Sequence, residues 1–124
     1  MKYKRNEAFR YPFNTPLECR FNIYKVNQKE VFSRTGQALI HDLSPEGAKV
    51  SAELNLLSNE NDIEIALFFT LHSDYEVRGK IVWQKTYSDH EYLYGLQLLN
   101  HKETRFKIID ELKMLRNIHR YGKK

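Results

Sequence analysis

Apolar and polar residues alternate through most of residues 17–100, and then the period changes. Leu17, Cys19, Phe21 and Ile23 fall on one side of an extended chain, and Glu18, Arg20, Asn22 and Tyr24 on the other. A period of two over this length is the mark of a half-buried strand. Strand-like patterns return in VFSRTGQALIHDLS, AKVSAEL, IEIALFFTL, EVRGKIVWQKTY and YLYGLQLLN. In the fifth of these six segments Val77, Gly79, Ile81 and Trp83 are expected to share a face. The stretches VNQKE, SPEG, HSDY and SDHE separate the segments. In SPEG, Pro45 presets a turn and Gly47 is free to take positive φ.

Over 102–120 the spacing turns helical. Ile108, Leu112, Leu115 and Ile118 recur at steps of four, three and three, with Phe106 and Ile109 widening the stripe. Arg116, His119 and Arg120 suit the negative end of the helix dipole, and Gly122 is placed to end the helix. Short strands followed by one helix predict an all-β fold with a terminal helix: a six-stranded antiparallel barrel plugged or flanked by that helix. The 124 residues fit one domain. Its expected parts are a flexible basic N-terminal segment (1–13), a barrel (14–101) and a helix (102–120).

Composition narrows the function classes. The chain is 41% hydrophobic and 29% charged, as in ordinary soluble proteins. No apolar run approaches the roughly 20 residues of a membrane span. MKYKRNEAFR has no apolar core of a signal peptide, and the single Cys19 has no disulfide partner in the chain, so a cytoplasmic setting is expected. The net charge of +4 is compatible with an anionic ligand. The five histidines show no metal-ligand spacing, and no nucleophile motif, phosphate loop or catalytic carboxylate pair occurs. No metal, no cofactor and no enzymatic activity are expected. No aromatic-rich stacking motif supports a nucleic acid polymer as partner.

Two stretches remain as candidates. In KRNEAFRYPF, Arg5 and Arg10 can grip phosphate or stack on a nucleobase, whereas the alternative is a solvated, frayed terminus. In DLSPEG, Asp42, Ser44 and Gly47 can offer an acceptor, a hydroxyl and an open backbone N–H to one polar ligand. The alternative is a tight turn that bonds to itself.

The order of these features resembles the PilZ domain family over nearly the whole chain. The carriers of the resemblance are AFRYPFNTPLECRF, HDLSPEGAKV, VRGKIVW and YLYGLQLL. It implies a six-stranded antiparallel barrel and, as ligand, the second messenger cyclic di-GMP. Asp42, Ser44 and Gly47 match the family's Asp/Asn-x-Ser-x-x-Gly motif, which contacts a guanine. Arg10 matches the second arginine of Arg-x-x-x-Arg. Asn6 stands in place of the first, and Arg5 matches an additional arginine just before the motif. The resemblance therefore implies a cyclic di-GMP receptor in which the basic segment closes over the ligand and signals to a protein partner the sequence does not identify. The alternative is a PilZ-fold adaptor that has lost nucleotide binding and acts through protein contact. On these readings Phe9 and Phe13 pin the segment to the barrel, and Trp83 is a core or helix-packing residue, with a place beside the ligand as its alternative.

Overall fold

The computed structural model describes residues 10–122, with 118–122 by backbone alone. Seven strands precede one helix: β1 (Tyr11–Val26), β2 (Lys29–Glu30), β3 (Gly36–Leu43), β4 (Gly47–Ala52), β5 (Ile63–Thr70), β6 (Asp74–Ser88), β7 (Glu91–Leu98) and α1 (Lys102–Gly122). The strand order is β2-β1-β3-β4-β7-β6-β5, and β1 also pairs with β5. That last pairing closes a six-stranded antiparallel barrel, as expected, with β2 as an extra strand. Closure depends on the length of β1, whose Tyr11–Phe21 part pairs with β3 while Arg20–Val26 pairs with β5. Such closure leaves the six barrel strands no open edge.

The ends of β1 differ from the sequence reading. The strand begins at Tyr11, inside the segment expected to be flexible, with Tyr11 opposite Leu43 and Pro12 opposite Asp42. Between Pro12 and Leu17 the register shifts, which accommodates Pro16, a residue with no N–H for a ladder. At the other end Asn27 and Gln28 take φ of 51° and 74° and form a two-residue hairpin to β2. Residues 31–35 leave the sheet although their pattern predicts a strand, and Phe32 there is fully exposed.

The barrel interior is built from the alternating apolar residues. Cys19 and Phe21 on β1, Ile40 and Leu43 on β3, Leu67 on β5, Val77 and Ile81 on β6, and Tyr94 and Leu96 on β7 belong to one buried cluster. Ile108, Ile109 and Leu112 of α1 join it, with Leu115 packed at its margin. Each large apolar side chain buried in this way contributes roughly 1.5–3 kcal/mol. Phe106 does not belong to the stripe and is 58% exposed. It lies two residues before Ile108, about 200° away around a 3.6-residue helix.

A polar clamp fixes α1 to the β5–β6 turn. Glu111 accepts hydrogen bonds from the His72 N–H (2.8 Å), the Ser73 N–H (3.0 Å) and the Tyr75 hydroxyl (2.6 Å). No helix among the described residues is long and apolar enough to cross a membrane.

Two further register shifts re-aim side chains on the barrel wall. One lies in β3 between Ile40 and Asp42, the other in β6 between Ile81 and Trp83. A bulge inserts one residue against its partner strand and so reverses the side on which the following residues face. Ile40 is in the core, and after the shift it is Leu43, not Asp42, that returns to it. Ile81 is in the core, and after the shift Trp83 is 40% exposed instead of continuing inward.

Candidate functional site

The two shifted residues end up on one row. Asp42 of β3 pairs with Lys49 of β4, Lys49 with Gly95 of β7, and Gly95 with Trp83 of β6. Four adjacent strands thus present, in order, a carboxylate, an ammonium, a position without a side chain, and an indole. The β7 neighbours Tyr94 and Leu96 point into the core, so Gly95 faces outward. The Trp83 ring occupies the space a side chain at 95 would need. Trp83 is therefore not a core residue, one of the two packing roles the sequence suggested. The row lines a cavity of about 480 Å³, with Arg10, Gly47 and Val82 contributing to its wall.

Asp42 is the most enclosed charge of the site, 6% exposed. Arg10 Nη1–H donates to its Oδ1 at 3.1 Å. Lys49 Nζ stands 3.7 Å from Oδ2, beyond ordinary hydrogen-bond length. Two cations thus share one carboxylate. The Arg10 side chain is mostly exposed, so the pair is screened by water and contributes about 0–1 kcal/mol. A contact of that strength is readily exchanged for a phosphate.

The SPEG turn holds Asp42 at the cavity. The Ser44 N–H donates to the Gly47 carbonyl at 2.9 Å, and the Gly47 N–H donates to Ser44 Oγ at 3.1 Å. The Ser44 hydroxyl is therefore engaged within the turn, and Ser44 is buried there rather than part of the cavity wall. Gly47 is needed for a reason other than the one its sequence context indicated. No described glycine has positive φ. Instead, a Cβ at 47 would stand 2.9 Å from the backbone carbonyl oxygen of Leu96, so glycine lets β4 approach β7.

His41 occupies the bulge beside Asp42. Its Nε2 is 2.8 Å from Ser51 Oγ, and its ring meets that of Tyr87 edge-on at 5.3 Å. Burial, and then the nearby Lys49 charge, lower its pKa below the usual histidine value, against the opposing pull of Asp42 and Glu91.

Of the residues singled out from sequence, Arg10, Asp42 and Gly47 meet at this cavity, and Ser44 braces the turn behind it. Arg5 and Phe9 lie outside the described residues. Phe13 packs against the core, edge-on to Tyr11 at 4.9 Å. Lys49 is the addition that sequence reasoning missed, and Trp83 lines the cavity instead of joining the core.

A larger concavity of about 1060 Å³ lies elsewhere on the barrel. Its wall includes Glu18, Glu53, Asp74, Glu76 and Glu91, with Arg20 as the cation among its lining residues. That charge balance repels an anion. The smaller cavity, with two cations and one carboxylate, is the one suited to an anionic ligand that also carries hydrogen-bond donors. Among the described residues no group of His, Cys, Asp and Glu is arranged to hold a metal ion.

The family model of the PilZ domain aligns with residues 4–114 of the chain. No curated protein matches the chain.

Proposed function

The chain belongs to the PilZ domain family, a family of binding modules generally directed at cyclic di-GMP, and from that premise we propose that it is a cyclic di-GMP receptor acting at the Asp42–Trp83 row. The observation that carries the reading is the convergence of Arg10, Asp42 and Trp83 on one outward cavity. The guanine Watson–Crick edge presents two adjacent donors, which suit a carboxylate acceptor. The exposed Trp83 face offers a stacking surface, an interaction worth about 1–3 kcal/mol per base in nucleic-acid complexes. A guanidinium suits the phosphates through charge-assisted bonds.

In this reading Arg10 changes partner. In the structure it bonds to Asp42. A guanine edge arriving at Asp42 displaces it, and the guanidinium turns to phosphate or stacks on the base. Arg10 directly precedes β1, so the exchange moves the chain leading into the barrel. Arg5 adds a second cation from that segment, and the rearranged segment forms a surface for a protein partner. The chain itself catalyses nothing.

Calorimetric titration with cyclic di-GMP, with GTP and single-stranded DNA as controls, tests the receptor reading. Saturable binding of cyclic di-GMP that Arg10→Ala weakens about ten- to a hundredfold is the expected result. No binding at low salt would replace the receptor reading by the adaptor one, which Asn6 in place of the first motif arginine favours. Hydrogen exchange of residues 1–11 with and without ligand tests the rearrangement. Equal protection in both states defeats the rearrangement even where binding occurs.

A further inference from the structure

We infer that Lys49 is a phosphate-binding residue of this site, a cation supplied by β4 in the middle of the barrel wall. The inference rests on the nucleotide-binding reading above and assigns a role that reading leaves open.

Three observations carry it. First, Lys49 is positioned by the sheet. Its neighbours in register are Asp42 on one side and Gly95 on the other. Gly95 has no side chain, and the Trp83 indole lies in the space it leaves, so the indole is the ammonium's next neighbour along the row. An anion seated between the guanine-binding carboxylate and the stacking ring lies directly over Lys49. Second, the ammonium is not consumed by Asp42. At 3.7 Å the two attract as charges without a well-formed hydrogen bond. Its side chain is 41% exposed. An ammonium has three donors on a flexible stem and suits phosphate as a point charge. Third, the charge count requires it. Once a guanine edge occupies Asp42 and Arg10 leaves, Lys49 is the cation still beside that carboxylate. It offsets the repulsion between Asp42 and the incoming phosphate. Position 6 carries Asn, an uncharged side chain. The site therefore draws its fixed positive charge from the barrel wall, and Arg10, just before β1, supplies the exchangeable one.

The test uses the full chain and three proteins: wild type, Lys49→Met and Lys49→Arg. Each is titrated with cyclic di-GMP at about 50 mM and about 500 mM salt, where screening differs strongly. Thermal melts without ligand confirm folding. Lys49→Met should bind about ten- to a hundredfold more weakly at low salt. That gap should narrow at high salt, and Lys49→Arg should stay near wild type. Equal affinity and equal salt dependence for wild type and Lys49→Met overturn the inference and leave the receptor reading standing. Equal losses in Lys49→Met and Lys49→Arg also overturn it, since the effect is then packing rather than charge. Absence of binding by the wild type removes the receptor reading itself, and the inference with it. Should Lys49→Met fail to fold, Lys49→Gln is judged by the same criteria.

Discussion

The Trp83 indole covers the outward face of Gly95, its cross-strand partner, so closely that a Cβ at position 95 would overlap ring atoms Cε2 and Nε1. Gly95→Ala therefore has to push the ring off the sheet. Trp83 is partly exposed and has room to swing outward, so the stability cost is expected near the lower end of the about 1–3 kcal/mol typical of overpacking. Cyclic di-GMP binding should fall more than stability does, and indole fluorescence should report a wetter ring. Adding Trp83→Ala to Gly95→Ala should restore the melting temperature without restoring binding. Unchanged fluorescence in Gly95→Ala would count against the stacked arrangement.

Asp42→Ala separates binding from folding. Its ion pairs involve cations exposed to water, so the ligand-free protein should lose no more than about 1 kcal/mol. Affinity for cyclic di-GMP should drop by about ten- to a hundredfold, the value of a charge-assisted hydrogen bond. A variant that unfolds would make Asp42 a structural residue of the β3–β4 turn. Denaturant titration and calorimetry on the same sample decide between the two.

His41 makes stability depend on mild acid. Burial and Lys49 lower its pKa in the folded state, so the fold favours the neutral ring. The unfolded chain then binds the proton more readily. The associated stability is present above the unfolded value, about 6.5, and is lost as the pH falls through the lower folded value. Denaturation midpoints should decrease from pH 7.5 to pH 5, and His41→Gln should flatten that slope. Lys49→Met should raise the His41 pKa in an NMR titration, because one cause of its depression is gone. An unmoved His41 resonance curve would contradict the proximity of the two groups.

The Glu111 clamp predicts a plateau with two edges. Burial opposes ionisation of Glu111, but hydrogen bonds from Tyr75, Ser73 and His72 outweigh it and bring the pKa down to about 2. This contribution is present above the ordinary carboxyl value and is lost as the pH falls through about 2. Tyr75 is the mirror case. Burial, and then its bond to Glu111, push the phenol up to about 12, so its contribution is present below the ordinary phenol value and lost as the pH rises through about 12. Tyr75→Phe should move the Glu111 titration upward and remove Tyr75's share of the alkaline edge, leaving that of Tyr24 and Cys19, which are also pushed up to about 12. Following the helix signal by circular dichroism across pH measures both.

The barrel and its helix are legible in the sequence because both rest on hydrophobic period. Leu17, Cys19, Phe21 and Ile23 face the interior as the alternation requires, and Ile108, Leu112 and Leu115 meet the barrel. Phe106 misleads because its apolar character suggests the stripe while its angular position lies off it. Trp83 misleads because strict alternation from Ile81 carries it inward, whereas the bulge sends it out. No residue in KIVWQ announces that bulge, since it is set by how β6 must meet β7. Lys49 had a readable signal. A hairpin folded about SPEG places Leu43 opposite Ala48, and the next pair is Asp42 with Lys49. The engagement of Ser44 within its turn is one of two alternatives open to the sequence, and only the hydrogen bonds distinguish them.

The two bulges divide β3 and β6 into separate reading frames. Before each shift the odd or even positions answer to the barrel interior, and after it the parity is exchanged. Asp42 and Trp83 occupy the parity that interior residues held a few positions earlier. The chemistry on the outer wall can therefore be rewritten codon by codon without drawing on positions that fill the barrel, and the filling can be repacked without redrawing the wall. Pairing either strand without its shift, with every residue kept, would have the opposite effect. It would bring the two frames back into phase and turn a residue of the cavity wall toward hydrocarbon, so the presence of the cavity depends on where a strand slips against its partner as much as on the kind of its residues.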